Sequence, residues 1–242
     1  MPLDVNLALA AVGAGLAMGI AAVGSGIGVG ITGAAGATVI SESPEKFGVT
    51  IVFSALPQTQ AIYGLLTAIL ILLGTGLITK APREGFSALM AMASLGAGIG
   101  VGMAGLSAIG QGIAAASGIG ATSENPEVFG KGMVFSVLPE TQAIYGLLTA
   151  ILLLVFAGII GTMGKALSPM VGLATIGAGA SVGLAGLSGI GQGITAASGI
   201  GAAAKEPATM GKSIVLAVMS ETFAIFGLLI ALLIMYGTGL FG

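Results

Sequence analysis

The chain has 242 residues, of which 56% are hydrophobic and 7% charged, with a formal net charge of −2. A soluble domain needs more polar surface than that composition supplies, and there is no basic cluster to attract nucleic acid, so an integral membrane protein is expected. With neither Cys nor His, disulfides, a thiolate nucleophile and an ordinary zinc site are excluded.

Charged residues punctuate six long runs, roughly 5–41, 47–79, 85–123, 132–164, 166–204 and 213–242. The segment before the first run, MPLDVN, carries Asp4 and no Lys or Arg, so it makes a poor signal peptide and the first run is expected to stay in the mature protein. A run such as 132–164 spans about 50 Å as a helix, enough to cross a bilayer. A lone helix satisfies its own backbone groups within lipid, which predicts an all-α membrane protein of six transmembrane helices. Within the first run, GSGIGVG (24–30) resembles a phosphate-binding loop. No strand precedes it and no Lys follows within reach, so close helix packing is the better reading of these glycines.

The six helices fall into three tandem hairpins, because the sequence repeats. VFSALPQTQAIYGLLTAIL (52–70) recurs with two changes as VFSVLPETQAIYGLLTAIL (134–152), and GLSAIGQGIAAASGIGA (105–121) recurs with two changes as GLSGIGQGITAASGIGA (186–202). The turns align as well: SESPEKF (41–47), SENPEVF (123–129) and AAKEPAT (203–209). The expected units are hairpin 1 over 1–82, hairpin 2 over 83–165 and hairpin 3 over 166–242, all entering the membrane in the same direction. Odd-numbered helices are rich in Gly and Ala, which allow backbones to approach closely, and even-numbered ones in Leu, Ile and Phe, which suit lipid. An inner layer of odd helices and an outer, lipid-facing layer of even ones follows. Loop charge leaves the orientation open, with four Lys at the intra-hairpin turns against two Lys and one Arg at the other end.

Two ionisable residues remain inside the runs, Glu140 and Glu221, and the charges nearest Glu140 are Lys131 and Lys165. An ionised carboxylate near the bilayer centre costs at least ~2.5 kcal/mol, so each is expected to be neutralised by a proton or a cation and to serve a function. A structural ion pair has no partner, since no Lys or Arg lies within a span. Gln111 and Glu140 are 29 residues apart, as are Gln192 and Glu221, and the midpoint of each pair falls at the Pro of the turn. In an antiparallel hairpin each Gln then lies at the depth of its Glu, about 20 Å from the turn. Gln142 lies about 200° around the helix from Glu140, so one ion is not readily held by both. With hairpins side by side, each Thr–Gln pair instead faces the next hairpin's Glu: Thr59, Gln60, Gln111 and Glu140 in one site, Thr141, Gln142, Gln192 and Glu221 in the next. Pro57 and Pro139 each remove a backbone donor, which predicts a carbonyl one turn earlier, such as that of Phe135, left without its partner. Oxygen ligands around one carboxylate suit a small hard cation or a proton.

These residues resemble the proteolipid rotor component (the c or K subunit) of V-type and archaeal A-type rotary ATPases: a Gly-rich helix, a short polar turn, and a helix with a P-E-T motif, LPETQAIYG in hairpin 2. Hairpin 3 keeps Glu221 and Thr222 in VMSETFAIFG but has Ser220 for Pro and Phe223 for Gln, and hairpin 1 has Gln58 in place of the carboxylate. The tripled hairpin resembles archaeal, particularly methanogen, forms. The resemblance implies a homo-oligomeric ring, embedded in membrane lipid, that turns against a stator subunit bearing an arginine and grips the central-stalk subunit at its polar turns. It implies no catalysis by the chain alone and no cofactor. It further implies Na⁺ sites of main-chain carbonyl, Thr and Gln from one hairpin with Gln and Glu from the next: Leu56, Thr59, Gln60, Gln111 and Glu140, then Leu138, Thr141, Gln142, Gln192 and Glu221. A proton held by the same groups is the alternative cargo. A channel or secondary ion transporter with its path inside one chain is the alternative function; it needs polar residues strung along the path, whereas here they cluster at one depth.

Overall fold

The computed structural model describes residues 4–161 and 167–241. Lys165 and the boundary expected between residues 165 and 166 lie outside the described residues. Among those described, six helices are long and apolar enough to cross a membrane: α1 (Val5–Glu42), α2 (Pro44–Gly74), α3 (Ala88–Glu124), α4 (Pro126–Phe156), α5 (Pro169–Lys205) and α6 (Pro207–Gly237).

Local chemistry sets the helix ends. Asp4, Ser87 and Ser168 each accept a hydrogen bond from a first-turn amide, of Leu7, Met90 and Met170, and so cap the three odd helices. Each even helix begins on a proline, Pro44, Pro126 or Pro207, where the missing N–H is one that would lack a helical partner anyway. At the other end of hairpin 1, Gly76 adopts φ +74°, a left-handed conformation that ends α2. Arg83 of the connection donates from Nη1 to Gly158 O (2.7 Å) and Ile159 O (3.3 Å), tying the start of hairpin 2 to the end of its second helix.

Helices α1, α3 and α5 pack side by side as one row, and α2, α4 and α6 each lie chiefly against their own partner as a second row. Glycine makes the first row possible. A Cβ at Gly110 of α3 would land on the carbonyl of Gly189 in α5, and one at Gly193 on the backbone of Gly110. The same approach recurs between Gly112 and Gly28 of α1. Backbones this close exclude any larger side chain. The second row is pinned by two buried rings: Phe53 against Gly118 and Phe135 against Gly199, each reaching the inner helix of the next hairpin.

Five of the six helices, all but α1, break at mid-length. In α2 and α4 a 3-10 turn covers Leu56–Gln58 and Leu138–Glu140, each with a proline inside it. The carbonyl expected to be left bare is not: Leu138 N–H bonds to Phe135 O, and Leu56 N–H to Phe53 O. The tighter i→i+3 bond supplies the partner that proline withdrew. In α3 the break is a 3-10 turn at Gly105–Ser107, with no proline to announce it.

Candidate functional site

The polar residues of the first site lie in or within about one turn of the breaks in α2, α3 and α4. Gln60 donates from Nε2 to Gln111 Oε1 (2.6 Å), and Gln111 donates from Nε2 to Glu140 Oε2 (3.3 Å). The hydroxyl of Thr59 lies 3.0 Å from Leu56 O and 3.1 Å from Gln60 Oε1. Both carboxamides are fully buried, and Glu140 is half-buried beside them.

The second site repeats the first. Gln142 donates to Gln192 Oε1 (2.7 Å), Gln192 to Glu221 Oε2 (3.2 Å), and Thr141 Oγ1 lies 3.0 Å from Leu138 O and 3.2 Å from Gln142 Oε1. Each Thr–Gln pair thus reaches the carboxylate of the following hairpin through that hairpin's own Gln, and the Gln–Glu pair of each site belongs to one hairpin. Burial makes this arrangement costly to leave unpaired, because each amide hydrogen and oxygen lost to water must be replaced by a protein partner.

Tyr63 and Tyr145 escaped the reading of the sequence. Tyr63 donates from its hydroxyl to Glu140 Oε1 (2.5 Å) and Tyr145 to Glu221 Oε1 (2.8 Å), so each carboxylate accepts on both oxygens. The signal was present: Tyr63 follows Thr59 by four residues and Gln60 by three, which puts all three on one helical face.

Hairpin 1 lacks a site of this kind on its own outer edge. Gln58 is exposed there and donates only to Ser54 O of its own helix (3.4 Å), and Val29 occupies the place that Gln111 holds in hairpin 2. At the opposite edge of the molecule, Phe223 and Phe226 of hairpin 3 stand where Gln142 and Tyr145 stand in hairpin 2.

Three stretches of the chain, residues 12–71, 95–153 and 176–234, match the ATP synthase C-subunit family, one per hairpin. The chain is 62% identical over 231 residues to the A-type ATP synthase K subunit of Methanocaldococcus jannaschii, covering 95% of this chain and 96% of that protein. It is 38% identical over 127 residues to the V-type sodium ATPase K subunit of Enterococcus hirae (52% of this chain, 77% of that one). It is 31% identical over 123 residues to the 16 kDa proteolipid of the V-type proton ATPase of Bos taurus (50% and 74%).

Proposed function

The chain belongs to the ATP synthase C-subunit family, and from that membership we propose that Glu140 and Glu221 carry Na⁺ as a ring of copies turns in the membrane sector of a rotary ATPase. It is an integral membrane subunit that couples ion movement to ATP chemistry performed elsewhere in the complex.

The observation that carries the reading is the hydrogen-bonded chain Gln60–Gln111–Glu140 and its repeat Gln142–Gln192–Glu221. Each chain brings a carboxylate, two carboxamide oxygens, a Thr hydroxyl and the Leu56 or Leu138 carbonyl to one depth. Five oxygen-bearing groups, one of them negatively charged, form a ligand set for a small hard cation. In each site the tyrosine and one glutamine donate to both oxygens of the carboxylate, and an ionised carboxylate is an acceptor only. That arrangement fits a cation as counter-charge better than a proton on the carboxyl itself. The sodium ATPase among the relatives supports the same choice.

The mechanism follows from charge and solvent. A carboxylate facing lipid needs its positive partner, so each Glu keeps its ion while its hairpin crosses the lipid-facing arc. A stator arginine offers a competing positive charge and releases the ion where the ring meets the stator. The polar turns, which all lie at one end because the hairpins run parallel, grip the central stalk.

Carbodiimides attack protonated carboxyls in apolar surroundings and so report the occupancy of each site. Na⁺ should slow labelling of Glu140 and Glu221 near neutral pH. Labelling indifferent to Na⁺ at every pH would assign the cargo as H⁺.

A further inference from the structure

The two free edges of the molecule are unlike each other, and they carry the matching halves of a third joint. At each internal joint the earlier hairpin offers three side chains: Phe53, Gln60 and Tyr63 from hairpin 1, and Phe135, Gln142 and Tyr145 from hairpin 2. In hairpin 3 the corresponding residues are Leu216, Phe223 and Phe226, and they are 59%, 62% and 56% exposed. Phe223 and Phe226 pack edge to face, with ring centroids 6.5 Å apart.

Hairpin 1 presents the receiving surface. One groove, of about 410 Å³, is lined by Gly26, Val29, Gln58, Ala61 and Ile62 among others, at the place where hairpin 2 receives Tyr63. A second, of about 260 Å³, is lined by Gly33, Gly36, Ala37 and Thr50 among others, at the place where hairpin 2 receives Phe53. In the inner row, a side chain added at Gly15, Gly19, Gly26 or Gly30 of α1 would meet nothing, whereas Gly112, the counterpart of Gly30 in α3, is jammed against α1. The packing surface that the internal joints use is therefore present on hairpin 1 and bare.

We infer that α5 and α6 of a second copy of this chain close onto hairpin 1, with Phe223 and Phe226 in the groove beside Gln58 and Leu216 in the groove beside Gly36, and that this joint holds without an ion. The inference rests on the rotor-ring reading and adds what kind of contact joins the copies. The joint has no carboxylate to neutralise. Gln58 bonds within its own helix to Ser54 O, and Ser220, which replaces proline, bonds within its own to Ala217 O (3.1 Å). Thr222 is the one ligand-type side chain the donating edge keeps, at the position that Thr59 and Thr141 hold at the internal joints.

The division of labour has a physical consequence. Both joints that contain carboxylates lie within one chain, where the connecting segments hold the hairpins together even when a site is empty and its charge repels closure. The joint between copies has no covalent tie, and it is the one built from packing alone, whose strength does not depend on Na⁺ or on the state of Glu140 and Glu221.

The test is the heat-induced dissociation of the purified assembly in mild detergent, followed by native mass measurement. The dissociation temperature should be the same with and without Na⁺, and unchanged in Glu140→Gln and Glu221→Gln. Gly26→Leu, whose side chain has open space within one chain, should convert the ring to single chains that keep wild-type helix content, and Phe226→Asp should do likewise. A dissociation temperature that climbs with Na⁺, or a Gly26→Leu ring as robust as wild type, overturns the inference. A wild-type protein found only as single chains would instead overturn the rotor-ring reading itself.

Discussion

Tyr63 and Glu140, 77 residues apart in sequence, are joined by a 2.5 Å hydrogen bond across the boundary between hairpins 1 and 2. Tyr145 and Glu221 repeat the contact across the next boundary. Hairpin 1, with no carboxylate at the depth of Glu140, thus completes the site of its neighbour. Removing that hydroxyl by Tyr63→Phe or Tyr145→Phe deletes a hydrogen bond to a charged group, worth about 1.5–3 kcal/mol. The Na⁺ concentration that half-protects the corresponding Glu from carbodiimide should rise at least about tenfold. Unchanged protection would show that the tyrosines do not support the bound state.

Glu140→Gln and Glu221→Gln should each abolish ATP-driven ion uptake by the reconstituted complex and leave the ring assembled. The amide nearly matches the carboxyl in shape but cannot neutralise a cation, and a stator arginine has no charge to displace it against. Full uptake by either variant would remove that residue from the ion path.

Gln58→Glu creates a third carboxyl at the joint between copies. At the inferred joint it faces Val29, Phe223 and Phe226 in place of Gln, Gln and Tyr, so it meets none of the amide and hydroxyl donors that serve Glu140. It should be labelled by carbodiimide at a rate that follows pH and ignores Na⁺. A third site protected by Na⁺ would contradict both the identity of the facing residues and the ligand set.

Gly110→Ala tests the packing of the inner row. Its methyl group would collide with the Gly189 carbonyl, and such overpacking costs typically about 1–3 kcal/mol. Gly120→Ala, in the same helix with open space at its Cβ, is the control. Thermal unfolding should shift clearly downward for the first and hold or rise slightly for the second. Equal behaviour of the two would mean that the helices can separate without loss.

The hairpin count, the parallel repeat and the pairing of Gln111 with Glu140 by depth were all legible in the amino-acid order. Lipid admits few backbone solutions, and the rise of a helix converts a 29-residue spacing into a common level, where the Gln–Glu hydrogen bonds of both sites lie. The angular offset between Glu140 and Gln142 also told that one helix serves two sites. Three things belonged to the tertiary structure alone. Which edge of a hairpin meets the next decides that Tyr63 reaches Glu140, since helical periodicity puts Tyr63 on the face of Gln60 but names no partner across the joint. The satisfied carbonyl of Phe135 depends on the chain tightening into a 3-10 turn at Leu138, a choice among local hydrogen bonds that proline permits but does not dictate. The break at Gly105–Ser107, like the one after Ala185 in α5, has no proline behind it, so no missing donor announced it and the folded helices alone revealed it.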